Sequence, residues 1–176
     1  MTAIEEKIAL LDRDGTIIVD KVYLDDPQGL EFAEGALEGM RLLRDAGFKL
    51  VMITNQSGIA RGYFDEATLA RIHRRLEELL AAEGLRLEAI YHCPHGPDDG
   101  CDCRKPAPGM VRAAMRDLGF SSDRAVVIGD SSADMGVATA VGSLGLRISP
   151  AGDVEGAYPT FLDAARVAVA HFSRRF

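Results

Sequence analysis

Ile8-Ala9-Leu10-Leu11-Asp12-Arg13-Asp14-Gly15-Thr16 joins a short apolar run to two carboxylates and a turn that glycine permits. A run so short and so rich in Ile and Leu reads as a strand covered on both faces. Side chains two apart on a strand share a face, so Asp12 and Asp14 are expected to project together from its carboxyl end. Such a pair gives a nucleophile and a general acid/base one pocket, with room for a divalent cation to mask their repulsion. Taken alone, the same residues also suit an acidic turn after a strand.

Outward from this stretch the pattern repeats. Leu50-Ile53, Ala89-Tyr91, Ala125-Ile128 and Leu144-Ile148 are further apolar segments of strand type, and amphipathic stretches separate them at about residues 35-46, 65-83, 108-118 and 133-141, with a last one near 160-172. Asp65 and Ser121 suit helix caps, while Gly47, Gly84 and Gly119 stop the helices before them. Alternation of this kind predicts an α/β fold: a three-layer, Rossmann-like parallel sheet of about five strands with helices on both faces. Ligands bind such sheets outside the carboxyl ends of the strands, near a topological switch point. The polar motifs fall there. Asp12 and Asp14 follow the first strand, Thr54-Asn55-Gln56-Ser57 the second, Arg104-Lys105 come beyond the third, and Gly129-Asp130-Ser131-Ser132-Ala133-Asp134 closes the fourth.

Composition narrows the function classes. A chain of 176 residues with 47% hydrophobic and 27% charged residues suits one domain, 1-176, with a full core. A net charge of -7, with 6% aromatics and no Trp, argues against a nucleic-acid partner or a membrane surface. Met1 to Lys7 carries Glu5 and Glu6 and leads into only a brief apolar run, so no signal peptide or membrane span is expected. A cytoplasmic monomer is the expectation. In the basic cluster Arg71, His73, Arg74 and Arg75, followed at once by Glu77 and Glu78, a solvated helix face is expected.

The three cysteines fall close together, which is not the layout of a disulfide framework. Cys93-Pro94-His95, five residues, then Cys101-Asp102-Cys103 supplies three thiolates and one imidazole, enough to close a tetrahedral zinc shell. A closed shell leaves no position for water and is structural, so zinc is expected to staple loop 93-103 and to aim Arg104 and Lys105 into the cleft.

Residues 7-148 resemble the haloacid dehalogenase (HAD) superfamily of phosphatases. The resemblance implies that Asp12 attacks phosphorus to give an aspartyl-phosphate, that Asp14 protonates the leaving alkoxide and then activates water, and that Thr54 and Lys105 hold phosphoryl oxygens. It also implies magnesium, held by the Asp12 carboxylate, the Asp14 backbone carbonyl and Asp130, with Asp134 behind them. The stretch after the third strand, where a cap domain is inserted in some members, holds only the short metal loop here, so no cap is expected. Asp12 to Thr16, Thr54 to Gly62 and the Cys93 to Pro106 segment together are similar to the D-glycero-D-manno-heptose 1,7-bisphosphate 7-phosphatase family. That likeness implies removal of the 7-phosphate during activated-heptose synthesis for lipopolysaccharide or surface glycans. It also maps substrate recognition onto Asp20, Lys21, Val22, Tyr23, Asn55, Gln56, Ser57 and Arg104, and Arg61 is added because guanidinium forks suit phosphate. Val22 replaces a Gly common in the family, Ile18 stands where many members carry Asn, and Ser131 where some carry Lys. The alternatives are a histidinol-phosphate phosphatase, a polynucleotide 3'-phosphatase and a non-catalytic zinc-stabilised module that binds phosphate or protein.

Overall fold

The structure, a computed structural model, describes residues 6 to 174. Met1 to Glu5, part of the stretch read for a signal peptide, and Arg175 and Phe176 lie outside the described residues. Five parallel strands, β1 (Lys7–Leu11), β2 (Phe48–Asn55), β3 (Ala89–Cys93), β4 (Ala125–Gly129) and β5 (Leu144–Arg147), form one sheet in the order β3-β2-β1-β4-β5. The chain winds outward from β1 to β3, then returns to β1's other side for β4. The switch point therefore lies between β1 and β4.

Alternation along β1 divides the core. Ala9 and Leu11 join Leu50, Met52, Val126 and Ile128 beneath α1 (Ala36–Asp45), α2 (Glu66–Ala82) and α5 (Phe161–Ser173). Ile8 and Leu10 join Val51, Ile53 and Val127 beneath α3 (Gly109–Leu118) and α4 (Ser132–Val141). Three layers result because each central strand sends alternate side chains into opposite cores. On the first face α1 and α5 approach closely at Gly39, where a Cβ would sit 2.3 Å from the Phe161 ring.

Helix and strand placement follows the sequence pattern, with three instructive differences. β2 runs from Phe48 to Asn55, beyond the apolar run 50 to 53, because Lys49 pairs with β1 and Thr54 and Asn55 pair with β3 through backbone groups indifferent to polarity. Ser121 starts only the 3-10 turn Ser122–Arg124 and makes no capping hydrogen bond, whereas Asp65 accepts from Thr68 N at 2.8 Å. A third site of capping, Ser131 with Asp134, forms a full capping box on α4. The β1–α1 connection contains only the 3-10 turn Pro27–Gly29 and isolated bridges, and the β3–α3 connection holds the cysteine-rich loop. Among the described residues no helix is long and apolar enough to cross a membrane.

Candidate active site

The β1 strand ends at Leu11, and there period-two logic ends with it. Asp12 remains on the ladder, donating its N–H to Ile128 O at 3.0 Å. Beyond it the backbone curls: Thr16, Ile17 and Ile18 all donate to Arg13 O, and Gly15 takes φ 76. Glycine is required at 15 twice over, because a Cβ would also lie 2.2 Å from Asp130 Oδ2. The curl gives the two carboxylates different partners. Asp12 is bound to Lys105, and Asp14 to Arg13 and Gln56.

Lys105 is the hub. Its Nζ donates to Asp12 Oδ1 at 2.8 Å, Asp134 Oδ1 at 2.7 Å and Ile53 O at 3.0 Å, which engages all three ammonium protons. The side chain is buried, as is Asp134. Burial works against the ammonium charge, but Asp12 and Asp134 outweigh it and hold the Lys105 pKa above its usual value. Burial raises Asp12 well above the carboxylate range against the pull of Lys105, with Asp134 adding to the rise, and burial likewise raises Asp130. Carboxylate oxygens of Asp12, Asp130 and Asp134 lie within 4.8 Å of one another. Three acids beside one lysine, Asp12 and Asp134 buried and Asp130 partly so, carry excess negative charge, and their oxygen donors suit a hard divalent cation.

The two residues after Thr54 act as braces. Asn55 Oδ1 accepts from Lys105 N at 2.9 Å and its Nδ2 donates to Lys105 O at 3.1 Å, so β2 grips the lysine backbone directly. Lys105 is thus not aimed by the cysteine loop alone, as the sequence suggested. Gln56 Nε2 donates to Thr54 Oγ1 at 2.8 Å and to Asp14 Oδ2 at 2.9 Å, while its Oε1 accepts from Arg13 Nη2 at 3.1 Å. Arg13, which the sequence reading left without a role, is 1% exposed and clasps both Asp14 oxygens at 3.0 to 3.2 Å.

A cleft of about 270 Å³ opens over this network, lined by Arg13, Asp14, Asp20, Val22, Tyr23, Asn55, Gln56 and Ser57. At its rim Val22 and Tyr23 hold φ of 50 and 61, the left-handed region. Valine is strained there, at a cost of about 1 to 3 kcal/mol, which accounts for glycine being common at this position in the family the sequence resembles. Tyr23 packs edge-on against Tyr63 at 4.8 Å, with the Arg61 guanidinium 5.8 Å from its ring centre. Asp20 turns back to accept from Val22 N. Lys21 pairs instead with the exposed Glu31 and is not among the lining residues.

The sulfur and nitrogen atoms of Cys93, His95, Cys101 and Cys103 also lie within 4.8 Å of one another. Cys93 Sγ is 3.5 Å from His95 Nδ1, 3.6 Å from Cys101 Sγ and 2.9 Å from Cys103 Sγ. A tetrahedron with zinc–sulfur bonds of about 2.3 Å has edges of about 3.7 Å, so this cluster closes around one point at nearly that size. All three thiols are free. Burial raises Cys93, and burial with hydrogen bonds to its fellow thiols pushes Cys103 up to about 12. Cys101, although burial opposes it, is brought down to about 7 by the Arg104 N–H and the neighbouring thiols. Thiols that hinder one another's ionisation need a cation to ionise together, which fits a metal of thiolate preference. Arg104 donates to His95 O at 3.3 Å, tying this loop to the segment before Lys105.

Sequence reasoning missed His73. Far from a solvated face, it is buried on α2, with Nε2 3.2 Å from Arg13 Nη1. The signal was present: Leu69, Ile72, His73, Leu76 and Leu80 form one stripe at helical spacing.

Comparison with known proteins follows the same lines. A family model for HAD-hydrolase-like proteins matches residues 102 to 148. The D-glycero-beta-D-manno-heptose-1,7-bisphosphate 7-phosphatase of Photorhabdus laumondii is 43% identical over 136 residues, covering 73% of this chain and 72% of that protein. The enzyme of the same name from Escherichia coli K12 is 42% identical over 137 residues, covering 74% and 72%. The crystal structure of D,D-heptose 1,7-bisphosphate phosphatase from B. bronchiseptica, complexed with magnesium and phosphate, superposes with a TM-score of 0.83 at 34% identity, covering 94% of this chain and 99% of that one.

Proposed function

Because this chain belongs to the D-glycero-beta-D-manno-heptose-1,7-bisphosphate 7-phosphatase family of HAD-like hydrolases, we propose that it removes the 7-phosphate of that sugar bisphosphate through an aspartyl-phosphate on Asp12. It is a phosphoric monoester hydrolase. The observation that carries the mechanism is the Asp12–Lys105–Asp134 network at the carboxyl ends of β1 and β4, where the sheet reverses direction.

In the proposed first step an Asp12 carboxylate oxygen bonds to phosphorus as the ester P–O bond breaks, and the Asp14 carboxyl proton passes to the departing alkoxide. In the second, Asp14 takes a proton from water, whose oxygen bonds to phosphorus, and Asp12 is released with inorganic phosphate. As Asp12 bonds to phosphorus, the Lys105 proton it accepted turns to a phosphoryl oxygen, beside the Thr54 hydroxyl, while charge spreads over those oxygens. Gln56 holds Thr54 and Asp14 in one frame, and Asn55 fixes the Lys105 backbone. Asp12, Asp130 and the Asp14 carbonyl would hold magnesium, which when bound neutralises the phosphoryl charge and orients it toward Asp12. Cys93, His95, Cys101 and Cys103 would hold structural zinc. For the sugar, the rim formed by Asp20, Val22 and Tyr23, with Ser57, Arg61 and Arg104, is the proposed recognition surface, and Lys21 stands just outside it.

A phosphate-release screen with magnesium tests the reading across heptose 1,7-bisphosphate, histidinol phosphate and a 3'-phosphorylated oligonucleotide. Highest kcat/KM on the heptose is expected, with product analysis placing the loss at position 7. A preference for histidinol phosphate would overturn the substrate assignment, and no release from any of them would overturn the activity.

A further inference from the structure

Arg13 presents a whole guanidinium to a buried site, and its three edges are occupied differently. Nε and Nη2 clasp Asp14, and Nη2 also donates to Gln56. Among the described residues Nη1 meets one side chain, His73 Nε2 at 3.2 Å, reached from α2. An arginine has only donors, so His73 must be accepting, with its own proton on Nδ1. Its environment favours that neutral form: burial first, then Arg13 and His92, hold the imidazole down to about 3. His92 closes the outer side, its ring 6.2 Å from that of His73 and its Nε2 bonded to Glu66 at 2.8 Å.

We propose that His73 is a positioning residue for the phosphatase reaction, fixing the Arg13 fork so that the Asp14 carboxyl, 24% exposed at the cleft, stays aimed at the departing oxygen. A fork held only at the Asp14 and Gln56 edges is free to pivot about them, and a carboxyl displaced by such a pivot misses proton transfer. The role belongs first to leaving-group protonation, since His73 reaches Asp14 through Arg13 alone but reaches Thr54 only through Arg13 and then Gln56. It rests on the general-acid role proposed for Asp14, and the test separates the two.

The test compares kcat/KM for heptose 1,7-bisphosphate, whose alkoxide must be protonated as it leaves, with that for p-nitrophenyl phosphate, whose phenolate leaves unaided. His73→Phe keeps a ring and removes the acceptor. It is expected to lose about tenfold in kcat/KM on the alkyl ester and less than about twofold on the aryl ester, because kcat/KM ends at leaving-group loss and leaves out the later water attack, which uses Asp14 for both. His73→Gln, which restores an acceptor, is expected to recover the alkyl activity to within about threefold of the parent. If Phe does not fold, Gln against the shorter Asn repeats the contrast. Equal losses on both esters, or no loss on either, would overturn the positioning role. An Asp14→Asn enzyme that retains alkyl turnover would overturn the general-acid reading itself, whereas inactive Asp14→Asn beside unimpaired His73→Phe defeats the positioning role alone.

Discussion

The carboxylate cluster and the thiol cluster gather metal-type donors by opposite means. Asp12 and Asp130 follow two strand ends that the sheet brings side by side, Asp134 joins them from the first turn of α4, and Lys105 already offsets part of their charge. Cys93, His95, Cys101 and Cys103 come from the end of β3 and the loop after it, resting on the α3 side of the core, and among the described residues no lysine or arginine side chain is bonded to the sulfurs. Hydrophobic burial builds the first site before any ion arrives. On the zinc reading proposed above, the second would take part of its shape from an ion, in the way small metal-bound loops do.

The sharpest way to break this contrast is Asp12→Asn. Turnover is expected to fall by at least about a thousandfold, with little change in the thermal melt, because the sheet rather than this charge holds the site. Retained activity would remove the nucleophile. Lys105→Met comes next. It leaves Asp12 and Asp134 buried without their cation, which should cost about 3 to 5 kcal/mol in urea unfolding without added divalent ions, together with a loss of about a hundredfold in kcat. Magnesium should restore part of the stability and little of the rate.

Cys101→Ser should act in the reverse sense. Bound zinc, measured by elemental analysis, is expected to fall about tenfold or more and the melting temperature by several degrees. Activity should fall less than stability, because Asn55 holds Lys105 from β2. An activity loss larger than that of Lys105→Met would make the loop, not the sheet, the organiser of the cleft.

The contact behind the carboxylates has the smallest effect at neutral pH and shows itself in acid. Below pH 6.5 the unfolded chain protonates His73, while the folded protein resists until about 3. The contribution to stability is therefore intact above 6.5 and declines by about 1.4 kcal/mol per pH unit as acid is added through that window. His73→Gln removes this dependence, so urea unfolding between pH 6.5 and 4 should slope less steeply in the variant than in the parent.

These differences also explain what the sequence disclosed. Apolar periodicity located every strand and helix, since each central strand is covered on both faces and each helix on one. The thiol cluster was legible because all four donors sit within one loop, where spacing alone constrains geometry. The braces of the active site were not. Asn55 to Lys105, Gln56 to Arg13 and His73 to Arg13 join residues that are 50, 43 and 60 positions apart. Such contacts leave no periodic trace, and the strand that carries the periodicity ends at Leu11, before Asp14.

The grip of the Asn55 amide on both backbone groups of Lys105 has a further consequence. Because the lysine takes its bearings from a strand, the span from Gly96 to Gly100 is free to lengthen or change in composition without dislodging the ammonium. The stretch between the second and third metal-type donors can thus vary around a fixed reactive centre without turning the lysine away from it.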